Sequence, residues 1–200
     1  MTEPAPERSV PARDLRRGQL RARVASAIVD AAAHELAQSH REVTMADVAD
    51  AAGVARATLY RYFPNREALV DAIGANALED VSARLAASRV ADVPATEGIV
   101  RAVRAIVEVG DALVVARMRL RADTEAFEEA VAAPLTAMFE RGQADGIVRD
   151  DVPARWLAEA LIGLAAAGVG ASPALGRDDM IAATSSVFLD GARTGSVSIR

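Results

Sequence analysis

Between Thr44 and Arg66 the chain reads Thr-Met-Ala-Asp-Val-Ala-Asp-Ala-Ala-Gly-Val-Ala-Arg-Ala-Thr-Leu-Tyr-Arg-Tyr-Phe-Pro-Asn-Arg, and no other stretch restricts the fold so tightly. Thr44 is a natural N-cap, and Asp47, three residues on, places a carboxylate near the positive end of a helix dipole. Val48, Ala49 and Ala52 recur at helical spacing, and Ala49 is small enough for a second helix to cross close by. Gly53 stands where the chain must turn, because glycine takes positive φ without steric cost. Val54 and Leu59 then give the next helix its apolar side. Pro64 prevents simple continuation, and Asn65 caps a further helix that starts with Arg66. The spacing therefore predicts two short helices in a helix–turn–helix.

The rest of the second helix is basic, hydroxylic and aromatic: Arg56, Ala57, Thr58, Tyr60, Arg61 and Tyr62. Guanidinium groups suit phosphate and guanine, hydroxyls suit phosphate, and a methyl suits thymine. A helix of this kind fits the major groove, which points to sequence-specific binding of double-stranded DNA. Arg56, Ala57, Thr58 and Arg61 are expected to touch bases; Thr44, Tyr60, Tyr62 and Arg66 are expected to hold phosphates. Alanine-rich hairpins with a glycine turn are common, and their arginines are usually only solvated. The whole pattern through Thr58-Leu59-Tyr60-Arg61-Tyr62-Phe63 carries the reading, not the glycine alone.

Here the chain resembles the TetR family of bacterial transcription regulators. Thr44, Val48-Ala49, Ala52-Gly53-Val54, Thr58-Leu59-Tyr60, Tyr62-Phe63 and Asn65-Arg66-Glu67-Ala68-Leu69 carry the likeness, which covers roughly residues 20–70. Three positions depart from the family's habit: Ala55 for a capping serine, Ala57 for a glycine and Arg66 for a lysine. The resemblance implies an all-α fold, a three-helix DNA-binding head, and a helical body that binds a small molecule and pairs with a second copy.

Composition fits that picture. Two hundred residues suffice for a small head and a larger body, and aromatics are only 4%, so the core is aliphatic. The net charge of −5 is unevenly spread. Residues 1–70 hold ten arginines and nine acids, residues 71–200 hold thirteen and nineteen, and residues 8–23 hold six arginines and one acid. An acidic body with a basic end is compatible with local DNA contact. With no cysteine there is no disulfide or thiolate zinc site, and the isolated His34 and His40 make no metal site. No cofactor is expected. The longest uncharged run, Ala160 to Gly176, is too short and too rich in small residues to span a bilayer, and residues 1–20 lack a signal-peptide pattern. A soluble, cytoplasmic protein without membrane contact is expected.

The chain divides into a disordered tail (1–14), a head (15–66), a body (67–192) and a short tail (193–200). Arg16, Arg17, Arg21 and Arg23 either follow the phosphate backbone or merely solubilise the chain's start. Helices are expected over 16–38, across the two short segments, and over 65–88. Further helices are expected over 96–121 with an interruption near Gly110, over 122–141 with a kink or split at Pro134, over 153–170 and over 178–192. That makes about nine, with no strand.

Leu113, Met118, Phe127, Leu135, Met138, Phe139 and Trp156 are candidates to line an effector cavity, and equally candidates for plain core. Leu157, Leu161, Leu164, Ile181, Val187 and Phe188 supply apolar area on the last two helices, and Gly168 permits close approach. They serve either an intramolecular core or a homodimer; the resemblance, with its four-helix-bundle pairing, favours the dimer. The leading function is a ligand-responsive repressor that binds a palindromic operator as a dimer. One alternative is a DNA-binding protein without a small effector, controlled by a partner or architectural. Another, a helical enzyme, is disfavoured: Glu128-Glu129 and Asp178-Asp179 are adjacent pairs that diverge on a helix, and no phosphate-binding glycine loop is present.

Overall fold

The computed structural model describes residues 12–39, 42–119, 125–171 and 175–195. Among them are nine helices: α1 Ala12–Gln38, α2 Met45–Ala51, α3 Arg56–Tyr62, α4 Arg66–Ser88, α5 Ala95–Val107, α6 Asp111–Arg119, α7 (residues 125–144), α8 Ala154–Ala171 and α9 Arg177–Ala192. The only β-type pairing among the described residues is one isolated bridge between Val148 and Arg193. None of the described helices is long and apolar enough to cross a membrane.

The buried side chains form two clusters. The first joins Ile28, Val29, Ala32 and Ala33 of α1 to Val48, Ala49, Leu59, Phe63 and the start of α4 at Leu69, Val70 and Ile73. The second runs from Val81 and Leu85 of α4 through α5, α7, α8 and α9. One helix, α4, therefore contributes to both. Its ends are well defined: the Asn65 Oδ1 accepts from the Ala68 N–H at 2.8 Å, and Arg89 closes it in the left-handed region at φ 51°. Glycine usually takes that closing place. Here Arg89 Nε donates to Asp92 Oδ2 at 2.6 Å and ties down the turn.

Helix α5 runs through the middle of the body and buries Ile99, Val103 and Ile106. Two glycines let α7 and its loop come close. A Cβ on Gly98 would lie 2.5 Å from Met138 Sδ, and one on Gly142 would lie 2.6 Å from Val148 Cγ2 and 2.7 Å from Ala95 Cβ. The α7–α8 loop also holds the end of α9. The Arg149 amide donates to the Ala192 carbonyl at 2.9 Å, while its guanidinium donates to the Gly191 carbonyl at 3.1 Å and grips Asp151.

Several boundaries differ from expectation. Helix α1 starts at Ala12, so residues 12–14 are helical and not part of a tail; residues 1–11 lie outside the described residues. As expected, the stretch after residue 95 divides at Gly110, where φ is +69°. Pro134 does not split α7. A π-helical turn, Glu128–Ala132, precedes it, and the Ala133 amide reaches back to the Glu128 carbonyl. Widening the turn before a residue that has no N–H, and whose ring would strike the carbonyl four residues earlier, lets the helix continue. The expected start at 122–124 lies outside the described residues.

Helix α6 is the other shared element. It packs on α1 and α4 and also touches α8. Val115 is buried in the head cluster, Leu113 in the body cluster. At its first residue, Asp111 accepts from Gln38 Nε2 at 3.2 Å and lies 2.9 Å from His34 Nδ1.

Candidate nucleic-acid interface

The helix–turn–helix is built as its residues dictate. Thr44 and Asp47 form a reciprocal capping box: the Asp47 amide donates to Thr44 Oγ1 at 3.3 Å, and the Thr44 amide donates to Asp47 Oδ2 at 2.9 Å. Gly53 turns the chain at φ +65°, and the Val54 amide donates to the Ala49 carbonyl at 2.9 Å. Helix α3 lays Leu59 fully into the head core, with Val54 half-buried beside it. Ala55 occupies the N-cap in extended conformation and offers no side-chain hydrogen bond. Helix α3 thus has no side-chain N-cap.

Arg56, Ala57, Tyr60 and Arg61 face outward on α3, Thr58 is half-buried, and Arg66 is exposed at the start of α4. The structure thus puts these residues on adjoining, solvent-facing parts of the head. Two of the proposed phosphate contacts look different in place. Thr44 has both donors engaged: the hydroxyl donates to Asp47 Oδ2 at 2.8 Å, as the backbone amide also does. Its observed work is that of a cap. Tyr62 is half-buried against Phe63, with ring centroids 6.5 Å apart, and two guanidiniums flank its ring: Arg21 of α1 at 5.7 Å and Arg61 at 5.5 Å. Both lie within cation–π range. This stack is not legible in the sequence, because Arg21 and Tyr62 are 41 positions apart and only the α1–α3 geometry joins them. Leu20 was also missed; it is 64% exposed beside α3. An apolar residue among Arg17, Arg21 and Val24 at helical spacing was the available signal.

The proposed cavity and dimer residues divide differently from expectation. Leu135, Met138 and Phe139 are fully buried, and Leu113 is buried. Phe127 is half-buried against the body core, and the Met118 side chain lies outside the described ones. Trp156, assigned to the cavity, is 57% exposed on the outer side of α8. Helical geometry explains the correction: Leu157 and Leu161 turn inward, so Trp156 turns out with Leu164, eight residues on. Conversely Leu157, Leu161, Ile181 and Phe188, assigned to a dimer face, are buried within the chain, and the Phe188 ring meets Phe139 at 5.8 Å. Gly168 admits Met180 of α9; a Cβ there would lie 3.2 Å from its Sδ. Leu164 and Val187 remain exposed, and with Trp156 and Ala160 they line an open groove between α8 and α9. No group of three or more His, Asp or Glu suited to a metal ion occurs among the described residues.

These features define a class: an all-α protein with a basic helix–turn–helix head on a helical body. Residues 28–73 match the family of bacterial regulatory proteins, tetR family. None of the curated proteins matches the chain. Among solved structures, the TetR-like transcriptional regulator LfrR from Mycobacterium smegmatis, in complex with proflavine, aligns at TM-score 0.70 and 25% identity, over 86% of this chain and 97% of that one. A regulatory protein of the tetR family from Rhodococcus RHA1 aligns at TM-score 0.69 and 19% identity, over 86% and 98%. AibR, in complex with isovaleryl coenzyme A and operator DNA, aligns at TM-score 0.64 and 17% identity, over 82% and 97%. Over residues 28–73 the chain carries the matched region of the tetR family of bacterial regulatory proteins, and along most of its length it shares the fold of these structures.

Proposed function

We propose that the protein is a ligand-responsive transcriptional repressor, working in the cytoplasm, that binds a palindromic operator as a homodimer and leaves it when a small molecule enters the body. The carrying observation is α3: a short helix held by a buried Leu59, with Arg56, Ala57, Tyr60 and Arg61 all directed to solvent. One such helix reads only a few base pairs, so specificity calls for two on a two-fold axis. The uncovered apolar strip of Trp156, Leu164 and Val187 is the surface we assign to that pairing. Repression is the simplest output, since occupancy of an operator that overlaps a promoter excludes a polymerase without further machinery. No enzymatic role is proposed.

The effector is assigned to the body near Leu113 and Phe127, because α6 links that region to the head. Leu113 of α6 belongs to the body core and Val115, two residues on, to the head core. A ligand that displaces α6 therefore disturbs the packing under α1 and α4, and the two recognition helices lose their match to successive major grooves. A coupling of about 1–3 kcal/mol between ligand and operator is ordinary for such a device. The head–body boundary is placed within α4, which contributes side chains to both cores.

Selection of bound duplexes with the purified protein, repeated with metabolite extracts, tests binding, half-site spacing and release together. On the selected operator, Arg61→Ala should weaken specific binding by about 1–3 kcal/mol and relax preference at one position. Arg66→Ala should weaken all duplexes alike and flatten the salt dependence by about one unit per protomer. Wild-type behaviour of both variants would show that α3 and the start of α4 do not face the duplex.

A further inference from the structure

We infer that the groove between the first turns of α1 and the recognition helix is a second docking surface for a sugar–phosphate strand of the bound duplex, with Tyr62 as the ring that positions its cations. The inference rests on the DNA-binding reading above and extends it to a different helix. Helix α1 begins at Ala12, yet its first fully buried residue is Ile28, and every side chain from Arg16 to Arg23 is exposed. At 1.5 Å per residue, more than two turns project beyond the head core. None of the side chains from Arg16 to Arg23 is buried in the head core. The extension does complete a groove, however. Leu20, Arg17 and Arg21 form one wall; Ala55, Thr58 and Arg61 of the α3 segment form the other, with Tyr62 between.

Charge and position both select the occupant. The lining holds Arg17, Arg21 and Arg61 and no acid. Thr58 and Arg61 also belong to the set expected to touch bases, so a duplex seated on α3 must run one strand past this groove. The exposed Leu20 matches the apolar face of a deoxyribose, while the Arg17 and Arg21 guanidiniums meet the phosphates on either side. Tyr62 orders the array. Its ring lies 5.7 Å from the Arg21 guanidinium and 5.5 Å from that of Arg61, so one side chain fixes a cation on each of two helices. Its role here comes from the ring, where the sequence suggested the hydroxyl.

The test measures affinity of the full chain for its selected operator and for a scrambled duplex across a salt series, with a hydroxyl-radical footprint. The Arg17→Ala/Arg21→Ala double variant should reduce the slope of log K against log salt by about 0.9 per arginine per protomer. Affinity near 0.1 M salt should fall at least about tenfold and equally for both duplexes, and backbone protection should shrink at the outer edge of each half-site. Tyr62→Phe should keep the wild-type slope, and Tyr62→Leu should lose part of it while the thermal midpoint of the head confirms folding. An unchanged slope and footprint in the double variant would overturn the inference and leave the α3 reading intact. A groove that captured poly-glutamate but left the slope untouched would belong to an acidic protein partner and would overturn it as well. If the wild-type chain ignores every duplex at low salt, the DNA reading itself falls and takes this one with it.

Discussion

At the scale of single residues, the head is held by caps that a reader of the sequence can find, and by one stack that such a reader cannot. Thr44 with Asp47, Gly53, and Asn65 do locally what their chemistry requires, because a cap or a turn depends on residues within four positions. The Arg21–Tyr62–Arg61 arrangement depends on how α1 crosses α3, and nothing local encodes it. The missing cap yields a prediction. Ala55 already has the extended backbone of an N-cap, at φ −65° and ψ 144°, and its carbonyl accepts from the Thr58 amide at 2.8 Å, but it has no side-chain oxygen to offer the first turn of α3. Ala55→Ser should stabilise the head by roughly 0.5–1 kcal/mol, and Thr44→Ala should cost about 1 kcal/mol by removing one half of the capping box. Chemical denaturation followed by tyrosine fluorescence reads both, since Tyr60 and Tyr62, the two tyrosines, lie on α3. An Ala55→Ser variant no more stable than wild type would mean that the first amides of α3 are already satisfied.

At the scale of elements, periodicity located the helices and misjudged their joints. Pro134 was a reasonable place to expect a split, since a proline cannot complete an ordinary α turn, but a π turn absorbs it and α7 runs on. The α6 segment was legible as a helix after Gly110, yet its double membership was not, because Leu113 and Val115 look alike in sequence and only the packing sends one to each core. That packing makes α6 a structural part of the head. Val115→Ala, a change in a body helix, should therefore destabilise the head by roughly 1.5–3 kcal/mol through lost apolar burial and the cavity left behind. The chain carries its own pair of reporters: the two tyrosines on α3 and a single tryptophan, Trp156, on α8. The tyrosine-monitored transition should move at least as far as the tryptophan-monitored one. A tyrosine midpoint that stayed in place while the tryptophan midpoint fell would show that α6 belongs to the body alone, and the proposed route from effector to operator would lose its middle step.

At the scale of the whole molecule, the proposed pairing face is where reading the sequence and seeing the fold diverge most, and the reason is geometric. The apolar residues of α8 and α9 suit either use in sequence, because a sequence cannot apportion them between the chain's own core and a second copy. The fold sends Leu157, Leu161, Ile181 and Phe188 inward and leaves Trp156, Leu164 and Val187 outside. The interface we propose is thus carried by residues from both of the earlier lists. Val187 is 64% exposed, so a charge there costs the monomer almost nothing, whereas in a dry helix–helix contact an unpaired arginine carries a large desolvation penalty. Val187→Arg should therefore yield a folded monomer by sedimentation, with a thermal midpoint that no longer depends on protein concentration. Trp156 lines the same groove, so its emission in the wild type should shift to the red on dilution through the dissociation range and lie at the red limit in Val187→Arg at any concentration. Because each half-site alone supplies too few contacts, the monomer should bind the operator at least about a hundredfold more weakly while its preference within a half-site persists. A Val187→Arg protein that still sediments as a dimer would place the two-fold axis on another face, and the spacing of the recognition helices would have to be derived anew from there.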